Sequence, residues 1–408
     1  MRSFCLALIV VATACTEGPP TAPVRDSALP PAFDLASAAG FTGRPLLMLT
    51  GVQRQQFEAG RVVFSTQFTP ATGLGPLFNA VSCASCHEVP VVGGGGQNDP
   101  EEGGEDIEIH ATAFHGGGRC DDLAAIGGQV FQKQVTPALG AALHIVSEAI
   151  PAAATDSGHR TTPDVFGFGL LDAVPAREIL ARADPLDRDG DGISGRPNHT
   201  ADGRIGRFGR KAQAATLREF NQDAFVMEMG ITNPGNTSEQ TVGGVPLPAG
   251  VDPLPEPEIT QEQFDAANAF VRFLAPPPRE RLDAIGAVGA RLFAKIGCAS
   301  CHVPALLTGA NRLPALRFKV VPAFTDLLLH DMGPDLADIC LGQAQPSEFR
   351  TEPLMGLRFV TAFLHDGRAS TVEEAIALHG GEGLRARNRF VRLSTFEHAA
   401  LLRFLGSL

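Results

Sequence analysis

The pentapeptide Cys83-Ala84-Ser85-Cys86-His87 recurs unchanged as Cys298-Ala299-Ser300-Cys301-His302. Cys-x-x-Cys-His is the attachment signature for c-type haem. Two thiols on one turn can each add to a haem vinyl group. The histidine that follows faces the same side and can ligate the iron. A zinc ribbon also uses Cys-x-x-Cys pairs, but about 15–20 residues apart. Here the copies start at positions 83 and 298. A thioredoxin-type pair needs a strand in front of it, and neither copy has a Val/Ile-rich one. Two identical copies therefore predict two covalently bound haem c groups, held by Cys83, Cys86 and His87 and by Cys298, Cys301 and His302.

The fold expected around them is mainly α, with two cytochrome c-like haem domains and long loops. Val52–Phe64 predicts a helix before the first motif. Leu282, Ile285, Val288, Leu292 and Ile296 share one face of a helix leading into the second. Phe220–Met229, stopped by Gly230, predicts another. So does Phe264, Ala267, Val271 and Leu274, closed by Pro276–Pro278. Ser370 and Thr371 with Glu373 and Glu374 mark a helix start. His398, Leu401, Leu402 and Leu405 lie on one side of a last helix. The Gly93–Gly96 run lacks the Lys-Ser/Thr of a phosphate loop and reads as a mobile loop. Residues 97–160 read as loop-rich, and 237–257 as a Pro/Gly-rich connection. The expected division is a leader over 1–15, a tether over 16–45, an N-terminal haem domain over 46–250 and a C-terminal one over 251–408.

The chain has 408 residues, a net charge of −12 and neither Trp nor Tyr. The acidic balance and the lack of a basic face exclude nucleic acid as a partner class. Arg2 and the apolar run Phe4–Ala14 suit an export signal and are too short for a membrane span. Ala12-Thr13-Ala14-Cys15 resembles a lipobox. The expected location is the bacterial periplasm, with membrane contact only through a lipid anchor at Cys15. Haem takes four of the eight cysteines, and Cys5 and Cys15 belong to the leader. Cys120 and Cys340 remain, as a disulfide or as two thiols.

Asp187, Asp189 and Asp191 occupy positions 1, 3 and 5 of a loop with Gly192 at position 6. That is the front half of a calcium loop. Position 12 is Asn198 rather than Glu, so the loop is not an EF-hand. Arg204, Arg207, Arg210 and Lys211 are candidates for pairing with haem carboxylates. A sixth iron ligand decides whether a haem only carries electrons or also binds substrate. His379, with Val372, Ala375 and Ile376 on one helical face, is the candidate for the second haem. Met332 and Met355 are alternatives, and His398 reads as a core histidine. For the first haem, His110, His115, His144 and His159 remain open.

The stretches Gly73–Ala80, Phe166–Pro175, Gly206–Ala212, Leu327–Gly333 and Phe363–Arg368 resemble the di-haem oxidoreductases. That family includes peroxidases and proteins called thiol oxidoreductases, and is related to bacterial di-haem cytochrome c peroxidase. In those peroxidases a His-x-Gly turn precedes the sixth ligand of the C-terminal haem by fourteen residues. From His365 this reaches His379. With two imidazoles in place of His and Met, the resemblance implies a lower potential at that haem. It also implies that Glu228-Met229 supplies an acid/base carboxylate at the N-terminal haem, with Met229 the other candidate ligand there. Family members commonly carry Trp at the positions of Arg210 and Met355. With no Trp or Tyr, electrons must pass between haems by direct tunnelling or through other groups. The implied activity is a periplasmic peroxidase: a donor cytochrome or small redox protein supplies electrons and hydrogen peroxide accepts them. A two-haem electron carrier and an oxidase of thiols or other small molecules are the alternatives.

Overall fold

The computed structural model describes residues 42–96 and 107–408. The expected leader, Cys15 and most of the expected tether lie outside the described residues. Six helices position the cavities and are labelled in chain order: α1 (Gly51–Phe64), α2 (Leu217–Met229), α3 (Gln261–Phe273), α4 (Ala284–Lys295), α5 (Val372–Leu378) and α6 (Thr395–Leu405). Five open on reciprocal capping boxes: Thr50 with Gln53, Thr216 with Glu219, Thr260 with Gln263, Thr371 with Glu374 and Ser394 with Glu397. Asp283 caps α4 by accepting from Gly286 N. Each such cap contributes about 1 kcal/mol and fixes where the helix begins. Gly230, in the left-handed region, ends α2 as the sequence predicts.

Two helix pairs dominate the packing: α1 along α3, and α4 along α6. Each pair crosses at a glycine. A Cβ on Gly60 would meet Ala266 O at 1.9 Å, and one on Gly289 would meet Ala400 O at 1.9 Å. No other residue permits so close a backbone approach. The largest apolar cluster joins Phe57 and Phe64 of α1 to Phe270 and Val271 of α3, and extends to Leu327, Leu328 and Met355. It therefore draws side chains from both sides of the division expected near residue 250.

Among the described residues helices are the longest elements, as expected, but short strands accompany them. Among the described residues, short antiparallel strands form five small sheets. The largest falls where loops were expected: β1 (Ile107–Phe114) pairs with β2 (Cys120–Asp121), β3 (Val130–Phe131) and β4 (Asp156–Thr161). In β1 the side chains alternate between faces. Ala111 and Ala113 pack with Leu123 and Phe131, and Ile109 packs against them. Glu108, His110 and Thr112 take the other face. The run Glu-Ile-His-Ala-Thr hides the pattern because its core side consists partly of alanine.

Cys120 and Cys340 form a disulfide with Cα atoms 5.7 Å apart. It ties β2 to a segment of the C-terminal half, beside Thr112 of β1, whose hydroxyl accepts from Cys340 N. No helix among the described residues is long and apolar enough to cross a membrane.

Candidate functional site

Each Cys-x-x-Cys-His motif forms a short 3₁₀ turn opening on its own cavity. None of the four motif cysteines is in a disulfide. Burial pushes Cys83 and Cys298 up to about 12. The smaller cavity, about 430 Å³, is lined by Cys83, Cys86 and His87. The larger, about 870 Å³, is lined by Cys298, Cys301 and His302. Both volumes lie in the roughly 300–1,000 Å³ range of small-molecule and cofactor sites.

The motif histidines are aimed by their backbone partners. His87 Nδ1 lies 3.2 Å from Gly94 O, and His302 Nδ1 lies 2.9 Å from Phe324 O. A carbonyl accepts only, so Nδ1 carries the proton and Nε2 keeps a free lone pair. That is the tautomer a metal-bound histidine adopts. The Gly93–Gly96 run is not the mobile loop expected from the sequence. Gly93 N donates to His87 O, Gly95 N to Val89 O and Gly96 N to Thr162 O. A Cβ on Gly94 would meet Val89 O at 1.9 Å. The glycines let the chain fold tightly enough to hold the ring of His87.

In the larger cavity His379 joins His302, as the spacing from His365 implies. His379 is the C-cap of α5 rather than a residue of its buried face, and its Nδ1 lies 2.7 Å from Ala375 O. Its Nε2 is therefore free as well. Burial lowers His302 to about 4, and the nearby His379 adds to the effect. Two neutral imidazoles with matching tautomers line one space flanked by two thiols. That donor set, two cysteine sulfurs and two neutral imidazoles, would suit a haem. Met332 and Met355 line the same cavity. His398 stacks on Phe390, with ring centroids 4.4 Å apart, and lines neither cavity.

The smaller cavity is built differently. His87 is its one motif ligand, and Glu228, Glu108 and His110 line it too. Glu228 sits at the end of α2, pinned where Asn79 N and Ala80 N donate to its carbonyl. Asn79 Nδ2 donates to Glu228 Oε2 at 2.9 Å. His110 Nε2 lies 2.9 Å from Glu108 Oε2. Burial, and then the neighbouring Glu108, push Glu228 well above the carboxylate range. Burial would raise Glu108 as well, but the hydrogen bond and charge of His110 hold it low. Glu108 was missed in the sequence; period-two alternation with His110 was the available signal. His115, His144 and His159 are exposed and line neither cavity. Met229 also lines this cavity, and it packs with Phe68, Leu74 and Phe225 in a core cluster.

Thr161, Thr162, Pro163, Arg210 and Arg350 line both cavities and form the wall between them. Arg210 Nη1 and Arg350 Nη2 both pair with Glu352 Oε2, at 3.0 and 2.8 Å. Of the four basic residues considered from sequence, Arg210 alone belongs to this wall. Arg204 pairs with Asp202 and Glu219, and Arg207 donates to the carbonyls of Asp172 and Val174. Lys211, 1% exposed, is enclosed by carbonyls of Gln345, Pro346 and Glu348 and by Asp338.

One carboxylate oxygen each from Asp187, Asp189 and Asp191 falls within 4.8 Å of the others. Gly192 N and Ile193 N close the loop on Asp187 and Asp191. Asn198, fully buried, turns away to Lys211 O.

Among solved structures, the chain resembles Kuenenia stuttgartiensis hydrazine synthase at 14% identity, covering 100% of each chain with a TM-score of 0.40. It resembles a MauG-like protein associated with microbial copper homeostasis at 16% identity, covering 87% of this chain and 89% of that one, TM-score 0.38. It also resembles the diheme peroxidase BthA of Burkholderia thailandensis at 16% identity, covering 87% and 86%, TM-score 0.37. At such scores these likenesses carry no argument. A search of curated proteins finds no match. The matched family model begins after the first motif, which is therefore read from its repeat and its cavity. That model, described as "Di-haem oxidoreductase, putative peroxidase", matches residues 146–408, well over half of the chain, and the chain belongs to this family of di-haem oxidoreductases.

Proposed function

We propose that the chain is a c-type di-haem peroxidase that reduces hydrogen peroxide with electrons from a donor cytochrome or small redox protein. The observation that carries this reading is the asymmetry of the cavities. His302 and His379 both offer a free Nε2 to the larger cavity, whereas the smaller pairs one such imidazole, His87, with a buried carboxyl pair. Cys83 and Cys86, and Cys298 and Cys301, carry the thioether bonds. Haem, once bound, supplies a redox-active iron and, where one ligand is missing, an open coordination position.

The protein's own side chains divide the work. His302 and His379 would both hold the iron of the larger site and so reserve that site for electron entry. Glu228, kept neutral, gives a proton to a peroxide oxygen in the smaller site as the oxygen–oxygen bond breaks. The balance per turnover is one hydrogen peroxide, two protons and two donor electrons to two waters. Asp187, Asp189 and Asp191 hold a calcium ion weakly at the edge of the larger cavity. The Cys120–Cys340 disulfide supports export to an oxidising compartment such as the periplasm, where Cys15 carries a lipid.

The test is a peroxide assay on the haem-loaded chain with reduced cytochrome c, alongside spectra of both irons. The expected result is turnover, a low-spin C-terminal iron and a high-spin N-terminal one. His379→Gly is expected to turn the C-terminal iron high-spin. Two low-spin irons without turnover would make the protein an electron carrier instead.

A further inference from the structure

We propose that the helix Leu384–Val391 is the docking face for an acidic electron-donor protein at the mouth of the larger cavity. This rests on reading that cavity as the site of electron entry, and it names the class of protein that delivers the electrons.

Residues 384–392 read Leu-Arg-Ala-Arg-Asn-Arg-Phe-Val-Arg. Four of these nine residues are arginine and none is acidic, in a chain with 33 lysines and arginines among 408 residues and a net charge of −12. The lack of a basic face read from composition therefore holds for the whole chain and not for this helix. Arg385 and Arg389 stand four apart, where like charges work against a helix. Hydrogen bonds hold three of the arginines without neutralising them. Arg385 Nη1 donates to Asp191 O at 3.2 Å, Arg387 Nη1 to Ala377 O at 3.4 Å and Arg389 Nη1 to Ile296 O at 3.3 Å. A carbonyl accepts a hydrogen bond but cancels no charge. The Asp191 carboxylate offsets Arg385 in part. Glu382, just before the helix, is engaged by His330 and Ser194.

The helix is anchored on one side and open on the other. Phe390 is buried with Phe293 and Phe404, in the cluster that backs the ring of His302. Leu384 is 40% and Val391 70% exposed, seven residues apart and so on one stripe; Phe396, just beyond, is 58% exposed. Arg385 and Arg392 are exposed beside that stripe. Apolar side chains bordered by arginines are the make-up of a protein-binding surface. An area this small suits the transient complexes of electron transfer. Leu384 to Arg389 and Arg392 line the larger cavity, so a protein seated here lies against the site of His302 and His379. An anionic membrane would also accept a basic helix, but it delivers no electron, and it is the redox cavity that this helix borders.

The acidic total does not override the patch. At about 0.1 M ionic strength, charges more than about 10 Å away are largely screened, so an approaching protein meets the arginines first. At each visit one electron leaves the donor, which is oxidised, and reduces the iron held at His302. Two visits supply the two electrons of one peroxide.

The experiment uses the haem-loaded full chain and two donors with one redox centre: a reduced cytochrome c of basic surface, and the same protein succinylated on its lysines, which makes it acidic. Surface plasmon resonance reads binding, and stopped-flow absorbance of the His302 centre reads electron entry, at about 0.1 M salt. The succinylated donor should bind more tightly and react about tenfold faster or more, and added salt should slow it. Arg385→Glu with Arg392→Glu should remove the preference, and Arg385→Gln with Arg392→Gln should weaken it. A preference for the basic donor would overturn the proposal, as would an acidic-donor rate that the Glu pair leaves unchanged. A haem spectrum altered in both pairs would also overturn it, by assigning the arginines to the haem. So would anionic phospholipid vesicles that bind the wild type and not the Glu pair while donor rates stay equal, since the helix would then be a membrane contact. Reduction is followed without peroxide, so a chain that turns over no peroxide fails the peroxidase reading alone.

Discussion

The two halves of the molecule use one packing device twice and then diverge. In α1, a Cβ on Gly60 would meet Ala266 O at 1.9 Å and Phe270 Cβ at 2.8 Å; in α4, one on Gly289 would meet Ala400 O at 1.9 Å and Phe404 Cβ at 2.8 Å. Four residues beyond each glycine stands a phenylalanine. Phe64 lies 5.8 Å from His87 and 4.9 Å from Phe270; Phe293 lies 6.5 Å from His302 and 5.4 Å from Phe404. The same crossing thus backs the same histidine in both halves. What each cavity adds comes from elsewhere: the end of α5 brings His379 to one, while a strand and the end of α2 bring Glu108, His110 and Glu228 to the other. The helix pairs set where a haem can sit, and the less regular segments set what it can do.

The sharpest way to break that division is Glu228→Gln. Loss of a positioned acid/base group costs about 10²–10⁴-fold. Peroxide turnover should fall by that factor, with no change in the spectrum of the His302–His379 centre. A changed C-terminal spectrum would mean that the halves do not work separately. Next comes the covalent link between them. Replacing Cys120 and Cys340 together by Ser should cost roughly 2–4 kcal/mol in chemical denaturation, without changing either haem spectrum.

The glycine crossings offer a smaller, paired test. Gly60→Ala and Gly289→Ala each force a methyl against a carbonyl oxygen of the facing helix. Overpacking of this kind costs about 1–3 kcal/mol. The two losses should be similar, because the distances are. Each should disturb the spectrum of its own half only, read at the haem backed by Phe64 or by Phe293. Unequal losses would show that the two crossings are alike in shape but not in strain.

How much of this the sequence disclosed depends on how local the signal was. The motifs, the six helices, the Thr371 cap and the Gly230 stop are written within a few neighbouring residues, and they were legible. Glu228 was reached through family resemblance, and His379 through both its helix and the resemblance; His379 lines the larger cavity and Glu228 the smaller. Glu108 was not found, since its strand carries alanines where a core strand normally shows Val or Ile. The Gly93–Gly96 run was misread because a glycine used for close approach looks, in sequence, like one used for freedom. Gly60-x-x-x-Phe64 and Gly289-x-x-x-Phe293 recur plainly enough, but each acquires meaning only against a helix distant in sequence.

The smallest effect belongs to the proposed calcium loop, and it bears on one half only. Three carboxylate oxygens within 4.8 Å, with Asn198 turned away from position 12, make a site of few ligands. Such exposed loops bind in the weak range of about 10⁻⁴–10⁻³ M. At a calcium concentration equal to Kd, stabilisation is about 0.4 kcal/mol. The loop nevertheless touches the larger cavity through Asp191, Gly192 and Ile193, and Arg385 Nη1 donates to Asp191 O at 3.2 Å. Just beyond it, Ser194 bonds Glu382, and Glu382 holds His330, whose Nδ1 lies 3.6 Å from Cys301 Sγ. Calcium should therefore raise the unfolding midpoint slightly and shift the spectrum of the His302 centre, leaving that of the His87 centre unchanged. Asp187→Asn with Asp189→Asn should abolish both responses. A calcium shift at the His87 centre would place the ion elsewhere and couple, through the metal, two cavities that already share a wall.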